Sequence, residues 1–373
     1  MKIALVTPSF LPTVGGMEFV VHNLAHEWSK QGHQVLVLNR VTDTVTHPNA
    51  TYSVAKFEML RGAPRFGFHR FPFAWYTRRS IKKILDEFEP DFISLHMGYP
   101  TGHWLESLRP RRDYVITCHG RDITLFDWGH RRKYGIDREL KNALNHSIGA
   151  IAISSHARAM MEDLGVSPSV IRDIPNGVDI DRFQKQIDFN FRERLNLPED
   201  AVIVLSVGRE HPQKNYASGI RAFSNVAKNQ EGIFYVIVGD KVDQHQPLLN
   251  QLNLGDRVKL CDVLHGDDLV GAYQQADLLF SPSIWEMMPL VVLESMAAGL
   301  PAVVTNISGS QDLIVNSKTG YIVEPDDLDE MAQALLRLAC DSSLRESFKR
   351  NVFERIKAYS WDEISRRYLD LMN

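Results

Sequence analysis

Short apolar runs separated by helix-like segments constrain this chain more than anything else in its sequence. "KIALVTP" (2–8), "QVLVLN" (34–39), "DFISLH" (91–96), "YVITCH" (114–119) and "AIAIS" (150–154) are dense in Val, Ile and Leu. A strand that is apolar on both faces is buried on both, the condition of a parallel sheet covered by helices. The segments between supply helices. "MEFVVHNLAHEWSKQG" (17–32) repeats apolar residues at helical spacing and ends on Gly32, a natural stop, and "RRSIKKILDEFE" is another such segment.

The pattern then begins again. "AVIVLSVG" (201–208), "IFYVIVGD" (233–240), "RVKLCD" (257–262), "ADLLFSPS" (276–283), "PAVVTN" (301–306) and "GYIVEP" (320–325) read as strands, with "YASGIRAFSNVAKN" (216–229) a helix among them. Between the two series lies "IPNGVDIDRF" (174–183), whose Pro and Asn-Gly suit a linker. The fold class is therefore α/β, with two doubly wound parallel-sheet domains. The boundaries fall at 1–180 and 181–356, and residues 357–373 form a separate amphipathic helix that crosses back to the N-terminal domain. A length of 373 residues fits two domains of the usual size, roughly 100–200 residues each. Two such sheets in tandem face a cleft, and ligands bind beyond the carboxyl ends of their strands.

Composition narrows the setting. Cys118, Cys261 and Cys340 are odd in number, scattered and outside any CxxC pair, which argues for a reducing compartment and against a disulfide framework or a zinc site. The opening "MKIALVTPSFLP" is too short in its apolar part for a signal peptide. No run approaches the ~18 apolar residues of a membrane span, so a cytoplasmic protein is expected. Charge is unevenly spread: residues 1–175 hold 22 Lys+Arg against 17 Asp+Glu, and the remainder 20 against 29. Much of the basic excess lies in "RGAPRFGFHRFPFAWYTRRSIKK" (61–83), "RPRR" (109–112) and "RRK" (131–133). Such a half meets something anionic, or simply carries solvated arginines.

Four features lie just after predicted strands. In "SVGREHPQKN", Arg209 and Lys214 share a loop from which a guanidinium and an ammonium can converge on one anion, most naturally a phosphate pair. In "SIWEMMPLVVLESMAAGLP" (283–301), Pro289 fits the first turn of a helix capped near Gly299, so Met287, Met288, Pro289 and Leu290 mark a helix N-terminus that favours an anion. Glu286 precedes that helix and Glu294 lies inside it. Aimed at a phosphate they would repel it, so they suit hydroxyls on either side of one. Gly15 and Gly16 let the backbone approach a ligand at another helix start, and His119 follows a strand in "TCHGRDI". No metal-ligand cluster stands out: "GDD" (266–268) and "PDD" (325–327) read as turn and cap acids.

Together these residues resemble the retaining glycosyltransferases of the GT-B fold, specifically family four, over essentially the whole chain. The resemblance is carried by Glu286 and Glu294 with seven residues between them, by "SMAAGLPAVVTNISGSQDLI" and "TGYIVEPDD" after them, and by "SVGREHPQKN", "PNGVD" (175–179) and the first glycine loop. It implies two Rossmann-like domains, the first binding the acceptor and the second a nucleotide-sugar donor. Arg209 and Lys214 would hold the donor diphosphate and offset its developing charge. Glu294 would accept from ribose hydroxyls and Glu286 from the transferred sugar. Gly16 would bring its backbone N–H to the phosphates, and His119 would sit beside the donor sugar. Neither a cofactor nor a metal is implied.

Two positions depart from the family's pattern. Met287 stands where a glycine usually follows the first glutamate, which puts the donor sugar in question. "CDVLHGDD" lacks a glycine often found in that loop, and a base held by backbone groups near Val263 would be uridine, with guanosine the alternative. The expected acceptor is a glycan or a lipid-linked molecule, and the basic, aromatic stretch 61–83 is expected to touch an anionic membrane surface. Nucleic acid is not an expected partner. Competing readings are a sugar-nucleotide epimerase of related fold, using His119 and Asp122, and a non-catalytic nucleotide-sugar-binding protein. A nicotinamide dehydrogenase is disfavoured, because GxGxxG is missing after the first strand.

Overall fold

The computed structural model describes residues 1–13, 15–44, 47, 50–60, 71–124 and 135–372. Residues 61–70 of the basic, aromatic stretch and the run 131–133 lie outside them. The chain divides into two compact units, Met1–Asn176 with Trp361–Asn373, and Gly177–Ser360.

In the first unit, β1 (Lys2–Val6), β2 (Gln34–Asn39), β3 (Ser53–Lys56), β4 (Phe92–His96), β5 (Val115–Cys118), β6 (Gly149–Ala152) and β7 (Ile171–Asp173) form one sheet. Its order is β3-β2-β1-β4-β5-β6-β7, and every pair is parallel. The apolar runs become the buried central strands. The order reverses between β1 and β4, the switch point of a doubly wound sheet. Helix α1 (Gly16–Lys30) carries Trp28 into the core, edge-on to both Phe92 and Tyr368 with ring centroids 6.0 Å away. Tyr368 belongs to the helix Trp361–Leu369, so the last segment is built into this unit. Polar contacts fix it there: Trp28 Nε1 donates to the Ser365 carbonyl at 3.1 Å, and the Thr117 and Tyr368 hydroxyls pair at 2.9 Å.

The second unit repeats the plan. β8 (Val202–Val207), β9 (Ile233–Val238), β10 (Val258–Cys261), β11 (Leu278–Ser281), β12 (Ala302–Thr305) and β13 (Gly320–Val323) are parallel, in the order β10-β9-β8-β11-β12-β13. Counted from β8 this is 3-2-1-4-5-6, the Rossmann order, with its switch point between β8 and β11. Ile220, Phe223 and Val226 from the helix Tyr216–Asn229, and Leu335 and Leu338 from the helix Leu328–Cys340, are buried in one core with Tyr235 and Phe280 of the sheet. Burying each such side chain contributes about 1.5–3 kcal/mol. Among the described residues, no helix is long and apolar enough to cross a membrane.

Candidate active site

The switch point of the second unit holds the candidate site. The loop after β8 opens with Gly208 at φ +147°, a backbone state that L side chains rarely adopt. A Cβ there would also lie 3.0 Å from Lys214 Cε, so the glycine leaves room for the lysine stem. The loop is braced at several points. Glu210 N donates to the Asp240 carbonyl at 2.7 Å, while Glu210 Oε2 and His245 Nε2 lie 2.6 Å apart. Tyr216 Oη donates to the Gly208 carbonyl at 2.9 Å. Ile284 N donates to the Gln213 carbonyl at 2.9 Å, which ties this loop to the one after β11. Held in this way, Lys214 Nζ lies 2.7 Å from Glu286 Oε1.

Glu286 is 8% exposed, and a carboxylate so placed needs partners to stay charged. Lys214 is one, and Ser283 Oγ, 3.3 Å from the same oxygen, is another. The backbone is fixed as well: Ser308 Oγ donates to the Glu286 carbonyl at 3.1 Å. Gly309, at φ +81°, approaches so closely that a Cβ would fall 2.5 Å from the Met287 carbonyl oxygen. Met287 and Met288 are both buried.

The helix Leu290–Ala297 follows. Pro289 is its N-cap rather than its first helical residue, and no side chain caps it. Val292 N and Leu293 N both donate to the Pro289 carbonyl, at 3.1 and 3.4 Å, and the Leu290 and Val291 amides before them belong to the first turn, where a helix has no intrahelical acceptor for its N–H groups. At the far end, Leu300 N donates to the Ser295 carbonyl and Gly299 N to that of Met296, a Schellman stop with Gly299 at φ +82°. Glu294, half-buried, accepts from Tyr273 Oη at 2.8 Å. Burial pushes its carboxyl upward, opposed by the Tyr273 hydrogen bond and by the charges of Arg182 and Lys214.

Lys214, Glu286, Met287, Met288, Pro289, Leu290 and Glu294 thus meet at one end of one sheet. Arg209 follows β8 in the same loop, exposed, with its guanidinium unpaired among the described residues. Val263 follows β10, is 38% exposed, and donates its N–H to Asp262 Oδ1 at 2.7 Å. Asp267 and Asp268 lie in the first turn of the helix Gly266–Gln275, and Asp327 caps the helix Leu328–Cys340. Among the described residues no three His, Cys, Asp or Glu side chains are grouped to hold a metal ion.

The remaining expected residues belong to the first unit. Gly15 is the N-cap of α1 and Gly16 its first residue. A Cβ on Gly15 would lie 2.5 Å from Glu18 Oε2, so the glycine admits that buried carboxylate. His119 Nε2 lies 3.0 Å from His96 Nδ1, with the rings stacked at 5.2 Å and 26°. Burial pushes the His119 imidazole down to about 3, so it is neutral at neutral pH. Asp122 accepts from the Gly98 and Gly120 amides and braces the turns around them.

Two stretches of the chain match glycosyltransferase families. Residues 14–182 match the family described as Glycosyltransferase Family 4, and residues 188–355 match Glycosyl transferases group 1. The chain belongs to glycosyltransferase family 4. Relatives of this family match it end to end. An uncharacterised glycosyltransferase of Methanocaldococcus jannaschii is 27% identical, over 100% of this chain and 97% of its own. A phosphatidyl-myo-inositol mannosyltransferase of Mycolicibacterium smegmatis is 28% identical, over 99% of this chain and 92% of its own. The crystal structure of Anabaena HepE in complex with UDP superposes with a TM-score of 0.78 at 19% identity, over 99% of each chain. The fold of this family 4 chain is accordingly GT-B, with two Rossmann-like domains.

Several residues that shape the site were not singled out from the sequence. Tyr273, Ser308 and the Glu210–His245 pair act through contacts distant in sequence, and Ser283 through one to Glu286, three residues on. Tyr273 occupies an apolar position of an amphipathic helix, where a tyrosine reads as core. Its hydroxyl was the signal, because a buried Tyr O–H needs a partner.

Proposed function

We propose that this glycosyltransferase is a retaining enzyme that moves a sugar from a nucleoside-diphosphate sugar, a UDP-sugar, to a glycan or lipid-linked acceptor. The observation that carries the reading is Lys214, ion-paired with Glu286 at 2.7 Å beside an uncapped helix N-terminus, at a sheet's switch point. Lys214 and Arg209 bind the diphosphate, aided by the Leu290 and Val291 amides. Glu294 accepts from the ribose diol and Glu286 from hydroxyls of the transferred sugar. The bond from the anomeric carbon to the phosphate oxygen breaks, and the acceptor oxygen bonds to that carbon on the same face. The acceptor's proton passes to the leaving phosphate. Lys214 and the helix amides stabilise the charge on that phosphate, with no reorganisation at the moment of transfer.

Uridine as the base is supported by the UDP in the HepE structure. A lipid-linked acceptor is supported by the mycobacterial relative, whose name gives phosphatidyl-myo-inositol as what it mannosylates. The second unit binds the donor and the first the acceptor. Helix α2 (Phe73–Phe88) opens with an aromatic cluster suited to a membrane surface: Phe71 is 82% exposed and Trp75 52%, with the Arg79 guanidinium 5.8 Å from the Trp75 ring.

Calorimetric titration with UDP, GDP and ADP, without added metal, tests the donor. Micromolar binding of UDP alone, lost in Lys214→Ala, is the expected result; no binding of any diphosphate would overturn the reading. For the membrane contact, vesicles with anionic lipid should float more protein than neutral ones, and equal flotation would refute it.

A further inference from the structure

Glu294 is held from behind. Tyr273, on the helix Gly266–Gln275, is fully buried, and its ring meets Phe183 edge-on at 5.6 Å and 77°. Its hydroxyl lies 2.8 Å from Glu294 Oε2. An ionised carboxylate only accepts, so the tyrosine is the donor. Burial, followed by the Glu294 charge, pushes the Tyr273 hydroxyl well above its ordinary range, so it keeps its proton at any working pH. The other oxygen, Oε1, makes no hydrogen bond to a described residue, although the same carboxylate feels the charges of Arg182 and Lys214. A glutamate side chain has three rotatable bonds, and one fixed oxygen removes most of that freedom.

We propose that Tyr273 is a positioning residue for nucleotide recognition: by holding Glu294 Oε2 it presents Oε1 to the ribose diol, and so sets the preference for a ribonucleotide. The proposal rests on the ribose role given to Glu294 above. It differs from a role in packing alone, because a tyrosine that only fills space changes stability and leaves ligand selectivity untouched. Phe183 and the buried helix face hold the ring, and the hydroxyl acts on Glu294.

The test compares UDP with 2′,3′-dideoxy-UDP on wild type and on Tyr273→Phe, by calorimetric titration of the full chain. A hydrogen bond to a charged group sets an expected wild-type preference for UDP of about ten- to one hundredfold. In Tyr273→Phe that preference should fall several-fold, with dideoxy-UDP bound equally by both proteins. Circular dichroism and a thermal melt establish that the variant is folded. An undiminished preference in the folded variant overturns the proposal and leaves the donor reading intact. No preference in wild type removes the ribose role of Glu294, and the proposal with it. Should wild type bind neither ligand, the donor reading itself fails.

Discussion

Replacing Lys214 by alanine probes the ion pair and the site together. Lys214 Nζ lies 2.7 Å from Glu286 Oε1, with the two side chains 18% and 11% exposed. Removing one partner of a fully buried pair costs about 3–5 kcal/mol, because the other charge is stranded. This pair retains some solvent, and Ser283 continues to donate to Glu286. The expected cost is therefore smaller, about 2 kcal/mol. In a domain of 150–250 residues that lowers Tm by about 4–8 °C. Adding Glu286→Gln should recover most of the loss, since no charge is then left unpaired. Differential scanning calorimetry reads the stability, and UDP titration the binding. Lys214→Ala and the double variant should both fail to bind UDP, whereas Glu286→Gln alone should still bind it and lose what depends on the sugar, the binding of the intact donor and transfer from it. A double variant as unstable as Lys214→Ala would refute the ion-pair argument. UDP binding at wild-type strength by Lys214→Ala would refute the phosphate role.

Two predictions concern pH. Burial raises the Glu294 carboxyl, and on the proposed reading Glu294 accepts from the ribose diol in its ionised form. UDP affinity should therefore fall on acidification at a pH above the ordinary carboxylate range, and at a still higher pH in Tyr273→Phe; calorimetry between pH 4.5 and 8 checks both. The stability sign is opposite, because a carboxyl raised by folding favours the fold as pH falls. In the first unit, burial, then His47 and His26, push His22 down to about 4, and its Nδ1 lies 2.7 Å from Tyr52 Oη. The unfolded chain takes up that proton near 6.5 and the folded one does not. His22 thus contributes stability above about pH 6.5 that is lost as pH falls toward 4, at most about 3 kcal/mol. Thermal melts across that window should show the loss, and His22→Asn should flatten it.

The elements legible in the sequence are those whose residues agree at every level. The helix Tyr216–Asn229 and the strand Gln34–Asn39 fall where their patterns put them, because burial of a continuous apolar face dictates both. β3 and β7 were not legible. They are short edge strands, half open to solvent, and nothing in "SVAK" or "IRD" separates them from loop. The GT-B fold was legible because the βα series repeats. Lys214 and Glu286 were legible as candidate site residues but not as partners of each other: 72 residues separate them, and the chemistry of each points first to a ligand. Tyr273 was hidden by its ring, since helical periodicity reports where a side chain points and not what its polar atom meets.

The pairing of Lys214 with Glu286 changes what donor binding must accomplish. On the proposed reading, a diphosphate draws Lys214 away from a carboxylate that is 8% exposed. A nucleoside diphosphate without a sugar leaves Glu286 with only Ser283, and that stranded charge weakens its binding. A nucleotide sugar brings its own hydroxyls to Glu286 and restores the lost hydrogen bonds. Phosphate and sugar recognition are therefore coupled through one salt bridge, and the intact donor should bind better than the diphosphate by more than the sugar's own contacts supply. Glu286→Gln breaks that coupling from the protein side. It should tighten UDP binding, weaken UDP-sugar binding and so bring the two affinities together. Equal effects of the substitution on both ligands would show that Lys214 and Glu286 act independently.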